Sequence, residues 1–492
     1  MRSASPPDCY VGIDIGTTNT KAVSLRRDGR IGAILREQTP IVERKGALFF
    51  DLLSLEKIVR GYLEHFRAHG IVRGVSFTSV GESIVPVRGG SPLCDPLVWY
   101  DPATSEVESR IWPEIESVAP RETTGITSSS ILALYKILWT REAMGIREPE
   151  WWLPLSSYLV YRLAGSAAWD FSHASRTMML DISTCAWNSR ILSRFGLESS
   201  LGPLRALGTP VGFDRERTPY FLGGHDHITG LFGVDRIVRG TPFILDSNGS
   251  SESVVTLGGS LSPLLAEQNC AIGVAFHSAQ YYLLKGLRSF GTFLESIALL
   301  SGARDVKLFY EAVNERLLRE KALAGRTIDI IVGGDPVAGD GCSTFSLMNV
   351  PIGTDPAVLV HSAYVYLGAM SRLLTEEVAR HAGENAEIVT SGAVTSNGLL
   401  MQYKAAILGR PLGILRTEEL GAVGAALCAA AGSEDSETID AFVSMQEKTT
   451  VSPDSSSSTA LREESQRLIE RYRRILQENV KDAVQTKRGP LA

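Results

Sequence analysis

The chain has 492 residues, enough for two or three domains at roughly 100–200 residues each. Its 49 Lys and Arg against 55 Asp and Glu give a net charge of -6, and no long basic run is present to follow a nucleic acid backbone. The six cysteines form no CxxC pair, which disfavours a zinc site and a disulfide framework. We therefore expect reduced thiols in a cytoplasmic protein that does not bind nucleic acid.

Neither the N-terminus nor any internal stretch predicts a membrane segment. Residues 1–8 lack the apolar core of a signal peptide. The most continuous small-apolar stretch, Gly421 to Gly432, falls short of the roughly 18 residues that a membrane span requires. We interpret it as a buried helix and expect no membrane partner.

The first half of the chain opens with a strand and a hairpin. Tyr10 to Ile15 reads as a buried strand, and Lys21 to Leu25 with Ile31 to Arg36 read as a hairpin that closes at Asp28-Gly29. A helix follows, and Ile71 to Phe77 returns as a strand. The helix is predicted from apolar residues at helical spacing: Leu52, Leu55, Ile58, Val59, Tyr62, Leu63 and Phe66.

The second half repeats this opening in outline. Phe243 to Leu245 reads as a strand, Asp246 follows, and a polar turn precedes the apolar pair Val254-Val255. The repetition favours two similar domains that face each other, with a cleft between them. We predict an N-terminal domain over 1–222, a C-terminal domain over 223–435, and a polar spacer with a terminal helix over 436–492. The apolar face of that terminal helix fits docking on the body, and a solvated helix is the alternative.

The first candidate binding segment is a hairpin whose turn carries glycine, hydroxyl and amide groups. Its polar and glycine residues are Asp14, Gly16, Thr17, Thr18, Asn19 and Lys21. Such a nest suits phosphate oxygens, and a simple tight turn is the alternative. Asp14 ends a strand, where a carboxylate is well placed to hold Mg²⁺ through water.

A second turn of similar composition follows Asp246 and contains Gly249 and Ser250. Two turns of this kind favour a triphosphate that is held between two domains. Domain closure then excludes water and limits hydrolysis without transfer.

A third segment places one carboxylate between two imidazoles, in the order His225, Asp226, His227. Phosphoryl transfer needs a group that accepts the proton of the attacking hydroxyl, and Asp226 is our candidate for this general base. The imidazoles are expected to orient substrate hydroxyls. A His-Asp-His metal site is the competing interpretation.

A fourth segment, Glu387 to Ala393, reads as a strand that enters a glycine turn, with a helix from about Asn397 to Leu408. The glycine of this turn, Gly392, admits a flat ring. The segment therefore fits adenine and ribose, although the same pattern is ordinary in α/β proteins.

Together these segments resemble the FGGY carbohydrate kinases, which include glycerol, xylulose, ribulose, fuculose and rhamnulose kinases. The resemblance spans about Tyr10 to Gly432, and its most specific part runs from Ser391 to Gln402, with Ile407 to Leu412 and Leu420 to Ala426. It implies an α/β fold of two actin-like ATPase (ribonuclease H-like) domains with a cleft between them. It also implies the cofactors ATP and Mg²⁺, and it leaves a homodimer or a homotetramer open.

The resemblance further assigns roles to individual residues. Positions that match the family's phosphate and adenosine motifs are Asp14, Gly16, Thr17, Thr18, Lys21, Asp246, Gly249, Ser250, Glu252, Gly392, Ser396 and Asn397. Asp226 falls on the catalytic base. Glu82, Trp99 and Asp101 resemble substrate-side positions, and a core aromatic is the alternative for Trp99.

The sequence also departs from the family at informative positions. Gly81 stands where glycerol kinases have a substrate-binding arginine, and the segment lacks the Gln-Met-His-Gly of xylulose kinases, so neither substrate is favoured. Ser391 replaces the first glycine of the usual pair in the adenosine turn.

We therefore expect ATP-dependent phosphorylation of a hydroxyl of a small ketose or polyol. Two alternatives are an actin-like ATPase with another substrate and a catalytically silent sugar-binding regulator. A pure ATPase has no need of the His225-Asp226-His227 segment, and retention of Asp14 and Asp226 argues against the silent protein.

Overall fold

The fold is taken from a computed structural model, which describes residues 7–265, 270–320, 328–332, 345–348, 350–383, 385–454 and 458–471. The chain forms two compact units. The first unit contains residues 1–242, 255–284 and 417–447, and the second contains 243–254, 285–416 and 448–492.

The described strands are β1 Asp8–Ile15, β2 Asn19–Arg26, β3 Ile31–Gln38, β4 Ile41–Arg44, β5 Ala47–Phe50, β6 Ile71–Ser79, β7 Ile84–Arg88, β8 Ser91–Pro92, β9 Trp151–Pro154, β10 Trp169–Asp170, β11 Leu180–Asp181, β12 Ala186–Trp187, β13 Leu204–Arg205, β14 Pro210–Phe213, β15 Pro219–His225, β16 Phe243–Asn248, β17 Glu252–Gly258, β18 Ala271–Val274, β19 Tyr281–Leu287, β20 Asp329–Val332, β21 Phe345–Met348, β22 Glu387–Ser391, β23 Leu412–Leu415 and β24 Lys448–Val451. The described helices are α1 Leu52–His69, α2 Ser105–Val118, α3 Arg121–Thr124, α4 Ala133–Ala143, α5 Leu155–Ala164, α6 Phe171–Ala174, α7 Ser189–Phe195, α8 Asp226–Val238, α9 Leu261–Leu265, α10 Gly291–Leu300, α11 Val306–Arg319, α12 Pro356–Ala382, α13 Gly398–Leu408, α14 Leu420–Gly432 and α15 Ser436–Ser444.

The main sheet of the first unit has the strand order β14-β15-β6-β1-β2-β3. β2 pairs antiparallel with both β1 and β3, so the three predicted antiparallel strands are confirmed. β6 pairs parallel with β1 on one side and with β15 on the other. The carboxyl ends of these three parallel strands therefore meet at one edge of the sheet, where α/β proteins commonly bind ligands.

The predicted helix after the third strand is α1, which begins after Asp51. The Asp51 side chain accepts a hydrogen bond from the backbone N–H of Ser54 and so caps the helix. Its buried residues follow the predicted stripe: Leu52, Leu55, Val59, Tyr62, Leu63 and Phe66. The β4–β5 hairpin that precedes this helix was not predicted, because four-residue strands give too short a pattern.

In the second unit, β16, β22, β23 and β24 are adjacent in that order. β16 pairs parallel with β22, as β22 does with β23, whereas β24 is antiparallel to β23. The strands predicted at Phe243 and Glu387 are confirmed, as is the helix that follows Asn397. Among the described helices, α12 alone is long and apolar enough to cross a membrane, but 83% of its apolar window is buried inside the protein.

Two of the predicted domain limits differ from the observed units. Gly223 and Gly224 lie inside β15 of the first sheet, so the chain continues in the first unit to Pro242. The range from residue 436 also contains α15 and β24, which precede the predicted polar spacer at Ser452 to Ser458. Sheet pairing at these positions involves partners that are distant in sequence, which a local composition change does not reveal. Our expectation that the first range binds the sugar and carries the first phosphate hairpin, and that the second binds the nucleotide, stays a prediction.

The terminal helix is described from residue 458 to residue 471. Leu461 is buried against Val365, Ala406 and Ile407, and Ile469 is also buried, so the predicted docking is confirmed for these residues. Residues 455–457 of the spacer, the helix beyond residue 471 and Cys342 lie outside the described residues.

Helix α14, the predicted buried helix, packs directly on β1 of the same unit. A Cβ on Gly12 of β1 would collide with the backbone oxygen of Ala422 and the backbone nitrogen of Ala426. On the other side of the helix, a Cβ on Gly424 would collide with the backbone oxygen of Thr229 in α8. Small residues are therefore required because backbone approaches backbone on both sides of α14.

Gly12→Ala is expected to lower the free energy of unfolding by at least about 1–3 kcal/mol, because the backbone of α14 must shift to admit the methyl group. The measurement is the urea midpoint. Gly61→Ala is the matched control, because a Cβ added at Gly61, in α1, would meet no atom of a neighbouring segment within 4 Å. That change should stabilise the protein by about 0.5–1 kcal/mol. Equal effects of the two substitutions would contradict the packing argument.

Candidate active site

The strand ends of the first sheet bring together residues from three segments of the sequence. Asp14 is paired with Thr78 across β1 and β6, and His225 is paired with Ser79 across β15 and β6. Asp226 follows immediately as the first residue of α8. The predicted Mg²⁺ residue and the predicted base therefore lie at the same edge of one sheet.

The carboxyl group of Asp14 is buried beside the start of α14. A Cβ on Gly421 would lie 2.8 Å from Asp14 Oδ2, which shows how closely the helix backbone approaches. Burial raises the pKa of Asp14 to about 7, and the nearby carboxylates of Asp226 and Glu419 add to the rise while Lys21 opposes it. Asp14 Oδ1 is buried and has no hydrogen-bond partner among the described residues. An orphaned carboxylate oxygen of this kind fits a site for a hydrated cation.

The hairpin between β1 and β2 is held by its own backbone and by neighbouring side chains. The N–H of Gly16 donates to the carbonyl of Asn19 at 3.1 Å, and the indole N–H of Trp99 donates to Thr17 Oγ1 at 2.8 Å. Thr18, at the tip, is exposed. The turn thus presents an exposed tip on a fixed base, as a phosphate-binding nest requires.

Lys21 does not stand alone at this hairpin, because Glu419 binds it. The distance between Lys21 Nζ and Glu419 Oε2 is 2.6 Å, and Arg36 also pairs with Glu419. Burial tends to raise the pKa of Glu419, but Lys21 and Arg36 lower it below its ordinary value. Glu419 thus fixes two cations beside the hairpin, and nothing in the local sequence predicted it.

Asp226 lies at the N-terminus of α8, where the helix dipole favours a negative charge. Its Oδ1 accepts the backbone N–H of His227 at 2.7 Å and lies 3.3 Å from His225 Nε2. The side chain of Asp226 is 25% exposed, so it is open to a ligand. This arrangement leaves a carboxylate fixed in orientation and accessible to a hydroxyl.

Behind Asp226, a buried polar group holds the end of β15. Asp170 accepts hydrogen bonds from the Ser172 hydroxyl and from His173, whose Nδ1 is 2.6 Å from Asp170 Oδ2. Ser172 Oγ in turn accepts the backbone N–H of His225 at 2.9 Å. Burial lowers the pKa of His173, but the Asp170 carboxylate outweighs it and the pKa lies above its ordinary value. Neither Asp170 nor His173 was predicted from the sequence.

His225 is buried between other histidine rings and has a different electrostatic environment. Its ring makes edge-to-face contacts with His173 and His227, with centroid distances of 5.9 and 5.2 Å. Burial lowers the pKa of His225 well below its ordinary value, and the neighbouring histidines and Arg176 add to this effect. His225 is therefore neutral at physiological pH.

The candidate substrate residue Glu82 is paired with an arginine that no local sequence pattern predicted. Arg176 Nε donates to Glu82 Oε1 at 2.6 Å, and both side chains are largely buried. Glu82 has a φ of 60°, a left-handed backbone that costs free energy for a non-glycine residue. Gly81 lies next to it, and a Cβ there would be 3.1 Å from the His225 ring.

The other two candidate substrate residues have different surroundings. Trp99 is half-buried and contacts the first hairpin through Thr17. Asp101 is buried, and its two oxygens accept the backbone N–H groups of Leu48 and Ala103 at 2.7 and 2.9 Å. The contacts of Asp101 are those of a residue that caps the short helical turn after it.

In the second unit, the turn after β16 docks on the start of α10. Gly291 donates its N–H to the carbonyl of Gly249 at 3.0 Å, and Phe290 donates to the carbonyl of Ser250 at 2.8 Å. Ser250 itself is exposed. The turn therefore has a fixed backbone and a free surface, like the hairpin of the first unit.

The carboxylates that flank this turn are buried around one lysine. Lys404 Nζ lies 2.6 Å from Asp246 Oδ2 and 2.5 Å from Glu252 Oε1, and all three side chains are fully buried. Lys404 also donates to Asn248 Oδ1 at 2.8 Å. Burial raises the pKa of Glu252, and Lys404 offsets this only in part. Asp246 and Glu252 thus hold the two strands of the hairpin, whereas Gly249 and Ser250 are the residues that a ligand can reach.

The candidate adenosine segment has one position that only glycine can occupy. Gly392 has a φ of 104°, and a Cβ there would collide with the backbone of Asn248. Asn397 caps α13 by accepting the N–H of Leu400, and its Nδ2 donates to the Tyr364 hydroxyl at 2.7 Å. Ser396 is exposed, whereas Ser391 is buried within β22. The buried position of Ser391 keeps its side chain away from the surface of the turn.

Solved structures of similar fold identify the architecture. The chain superposes on xylulose kinase from Lactobacillus acidophilus with a TM-score of 0.80 and 16% identity over 98% of this chain and 100% of that one. It also superposes on the structure of glycerol kinase from Plasmodium falciparum with ADP, with a TM-score of 0.78 and 15% identity. That superposition covers 96% of this chain and 99% of the other. The fold is therefore that of two actin-like ATPase domains, as the sequence predicted.

Sequence comparison then identifies the family. The family model for the N-terminal domain of the FGGY family of carbohydrate kinases matches residues 9–233, and that for the C-terminal domain matches residues 336–433. The chain belongs to the FGGY family and is a carbohydrate kinase. Glycerol kinase from Thermococcus onnurineus (strain NA1) is 22% identical over 441 residues, which cover 85% of this chain and 88% of that one.

Lys404→Met is expected to destabilise the protein by about 3–5 kcal/mol, because it leaves two buried carboxylates without their counter-ion. The measurement is the urea midpoint at neutral pH. Lys307→Met in α11 is the matched control, because Lys307 is 85% exposed. A loss below about 1 kcal/mol, the scale of a surface pair, would contradict the importance of the buried ammonium group.

Asp14→Asn is expected to stabilise the ligand-free protein more at about pH 8 than at about pH 5. The folded state holds the Asp14 proton up to about pH 7, whereas the unfolded chain releases it near 3.8. The free energy of unfolding that this group contributes therefore falls as pH rises from about 4 to about 7. Urea midpoints of both proteins at the two pH values test this.

Asp28→Asn is the control for that experiment, because Asp28 lies in the exposed turn between β2 and β3. This substitution should change stability by less than about 0.5 kcal/mol at either pH. A stabilisation by Asp14→Asn that is no larger at the higher pH would refute the raised pKa of Asp14.

Proposed function

We propose that this carbohydrate kinase transfers the γ-phosphoryl group of MgATP to a hydroxyl of a small ketose or polyol, with Asp226 as the general base. The observation that carries the proposal is the meeting of Asp14 and Asp226 at the carboxyl ends of β1 and β15. Glycerol kinase and xylulose kinase, both similar to this chain, bear the names of small polyhydroxylated substrates. The glycerol kinase structure with ADP supports ATP as the phosphoryl donor.

In the proposed reaction, Asp226 accepts the proton of the attacking hydroxyl. The hydroxyl oxygen forms a bond to the γ-phosphorus while the bond between that phosphorus and the ADP oxygen breaks. The hydrogen bond from the backbone N–H of His227 fixes the carboxylate for this task. Its position at the start of α8 places the carboxylate at the positive end of the helix dipole.

Asp14 is the residue that we expect to hold Mg²⁺ through water. When it is bound, Mg²⁺ keeps part of its hydration shell and neutralises part of the phosphate charge. The buried and unpartnered oxygen of Asp14 fits this role. The exposed turns at Thr18 and at Ser250 are expected to donate to phosphate oxygens, with Lys21 adding positive charge. The location of ATP between two domains stays a prediction.

On the substrate side, we expect Glu82 and Arg176 to act as one unit. The arginine orients the carboxylate, and the carboxylate can accept hydrogen bonds from sugar hydroxyls. His225 is buried and neutral, so its ring can orient a hydroxyl without carrying charge. Three further carboxylates contribute indirectly, because they hold backbone segments of the site in place: Asp246, Glu252 and Asp101.

Asp226→Asn is expected to lower kcat by about 10²–10⁴, the range for loss of general base catalysis. The assay couples ADP release to a panel of ketoses, aldoses and polyols with MgATP. Nucleotide binding, measured by calorimetry, should be retained. Asp235→Asn is the matched control, because Asp235 lies in the same helix away from its first turn.

Three outcomes separate the candidate functions. Release that depends on one acceptor and is lost in Asp226→Asn supports the kinase and names its substrate. ADP release without any acceptor favours an ATPase. Nucleotide binding with no release for any acceptor favours the silent regulator. Unchanged turnover in Asp226→Asn would exclude Asp226 as the base.

A further inference from the structure

The segment that supplies the base also forms a cluster of metal-binding side chains. One ligand atom from each of His225, Asp226 and His227 lies within 4.8 Å of the other two. Among the residues that the structure describes, this is the single group of three or more His, Cys, Asp or Glu side chains with that geometry. The proposed reaction uses the Asp226 carboxylate as the base and the ring of His225 to orient a hydroxyl, and it assigns no step to the ring of His227.

The distances between these atoms suit a small transition metal ion. His225 Nε2 is 3.3 Å and His227 Nε2 is 3.9 Å from Asp226 Oδ1. Ligands that bind Zn²⁺ at about 2.0–2.1 Å in a tetrahedron lie about 3.4 Å apart. The His225 distance already fits, and the His227 side chain, which is 29% exposed, needs only a small movement.

The donor set selects the class of ion. Imidazole nitrogen suits Zn²⁺, Cu²⁺, Ni²⁺ and Fe²⁺, whereas Mg²⁺ prefers oxygen ligands alone. Three protein ligands leave a fourth position open to water, which is the usual form of an accessible zinc site. The ligand type therefore distinguishes an ion bound at this cluster from the Mg²⁺ that accompanies ATP.

The surroundings hold two of the three ligands in place before any ion arrives. The backbone of His225 is fixed by Ser172, and its ring is packed between His173 and His227. Asp226 is oriented by the N–H of His227. A site whose ligands are already oriented loses little entropy on binding.

We infer that His225, Asp226 and His227 bind a divalent transition metal ion of the Zn²⁺ class, and that the bound ion inhibits the kinase. A lone pair of Asp226 that is shared with the ion is no longer available to accept the hydroxyl proton. The positive charge of the ion also makes the remaining carboxylate oxygen a weaker base. The inhibition rests on the proposed function of Asp226, whereas the binding does not.

The binding is tested on the full-length, metal-free protein with Zn²⁺ alone, in the absence of nucleotide and sugar. Equilibrium dialysis with elemental analysis gives the bound zinc per chain and its affinity. His227→Asn is expected to weaken binding at least tenfold, because loss of a second-shell partner alone costs about 10–100-fold. The thermal melting curve of the variant checks that it is folded.

A second histidine pair provides the matched control. His65 and His69 stack on α1 with a centroid distance of 4.3 Å, and such a pair one helical turn apart can also bind zinc. His69→Asn should leave the site at Asp226 intact. Zinc affinity that falls with His69→Asn and not with His227→Asn would place the ion on α1 and overturn the inference.

Inhibition is tested by ADP release at saturating MgATP with increasing Zn²⁺, followed by a chelator. We expect reversible inhibition of the wild type and a shift to at least tenfold higher zinc in His227→Asn, matching its loss of affinity. Bound zinc with unchanged turnover would overturn the inhibitory role. A protein that turns over but binds no zinc would overturn the site and leave the kinase standing. A protein that binds zinc but shows no turnover on any acceptor in its metal-free form would contradict the kinase alone.

Discussion

The close packing of α14 on β1 is the constraint on which the rest of the first unit depends. The contact at Gly12 sets the distance between helix and strand, and the same helix starts at Gly421 beside the Asp14 carboxyl group. Because β1, β6 and β15 are parallel, a strand fixed by that contact also fixes the edge that carries Asp226. One backbone contact between small residues thus determines the position of two carboxylates.

The same packing explains why the site is costly to maintain. Asp14 loses water on burial and faces a second carboxylate, so its ionised form is disfavoured until a cation is present. The second unit solves a similar problem differently, because Lys404 is built into the protein as a permanent counter-ion for Asp246 and Glu252. One carboxylate cluster contains a buried counter-ion of its own, whereas we expect a bound cation to neutralise the other.

Local patterns were sufficient for the strands, the first helix and the polar turns, because alternation, helical spacing and glycine each act within a few residues. They could not reveal partners that only folding brings together. Arg176 reaches Glu82 across 94 residues of sequence, and Lys404 reaches Glu252 across 152. For the same reason the sequence could not separate Asp246, which is buried, from Ser250, which is exposed. The sequence also could not show that the Gly223-Gly224 pair, near which we predict the domain boundary, lies within a sheet strand.

The close approach of Gly81 to the His225 ring links a candidate substrate-binding position to the segment that carries the candidate base. A Cβ at position 81 would be 3.1 Å from that ring, so even a methyl group there requires the ring to shift slightly. The two positions are therefore expected to change together, with a strong energetic coupling between neighbours. The effect of a substitution at position 81 is therefore expected to depend on which residue stands at position 225.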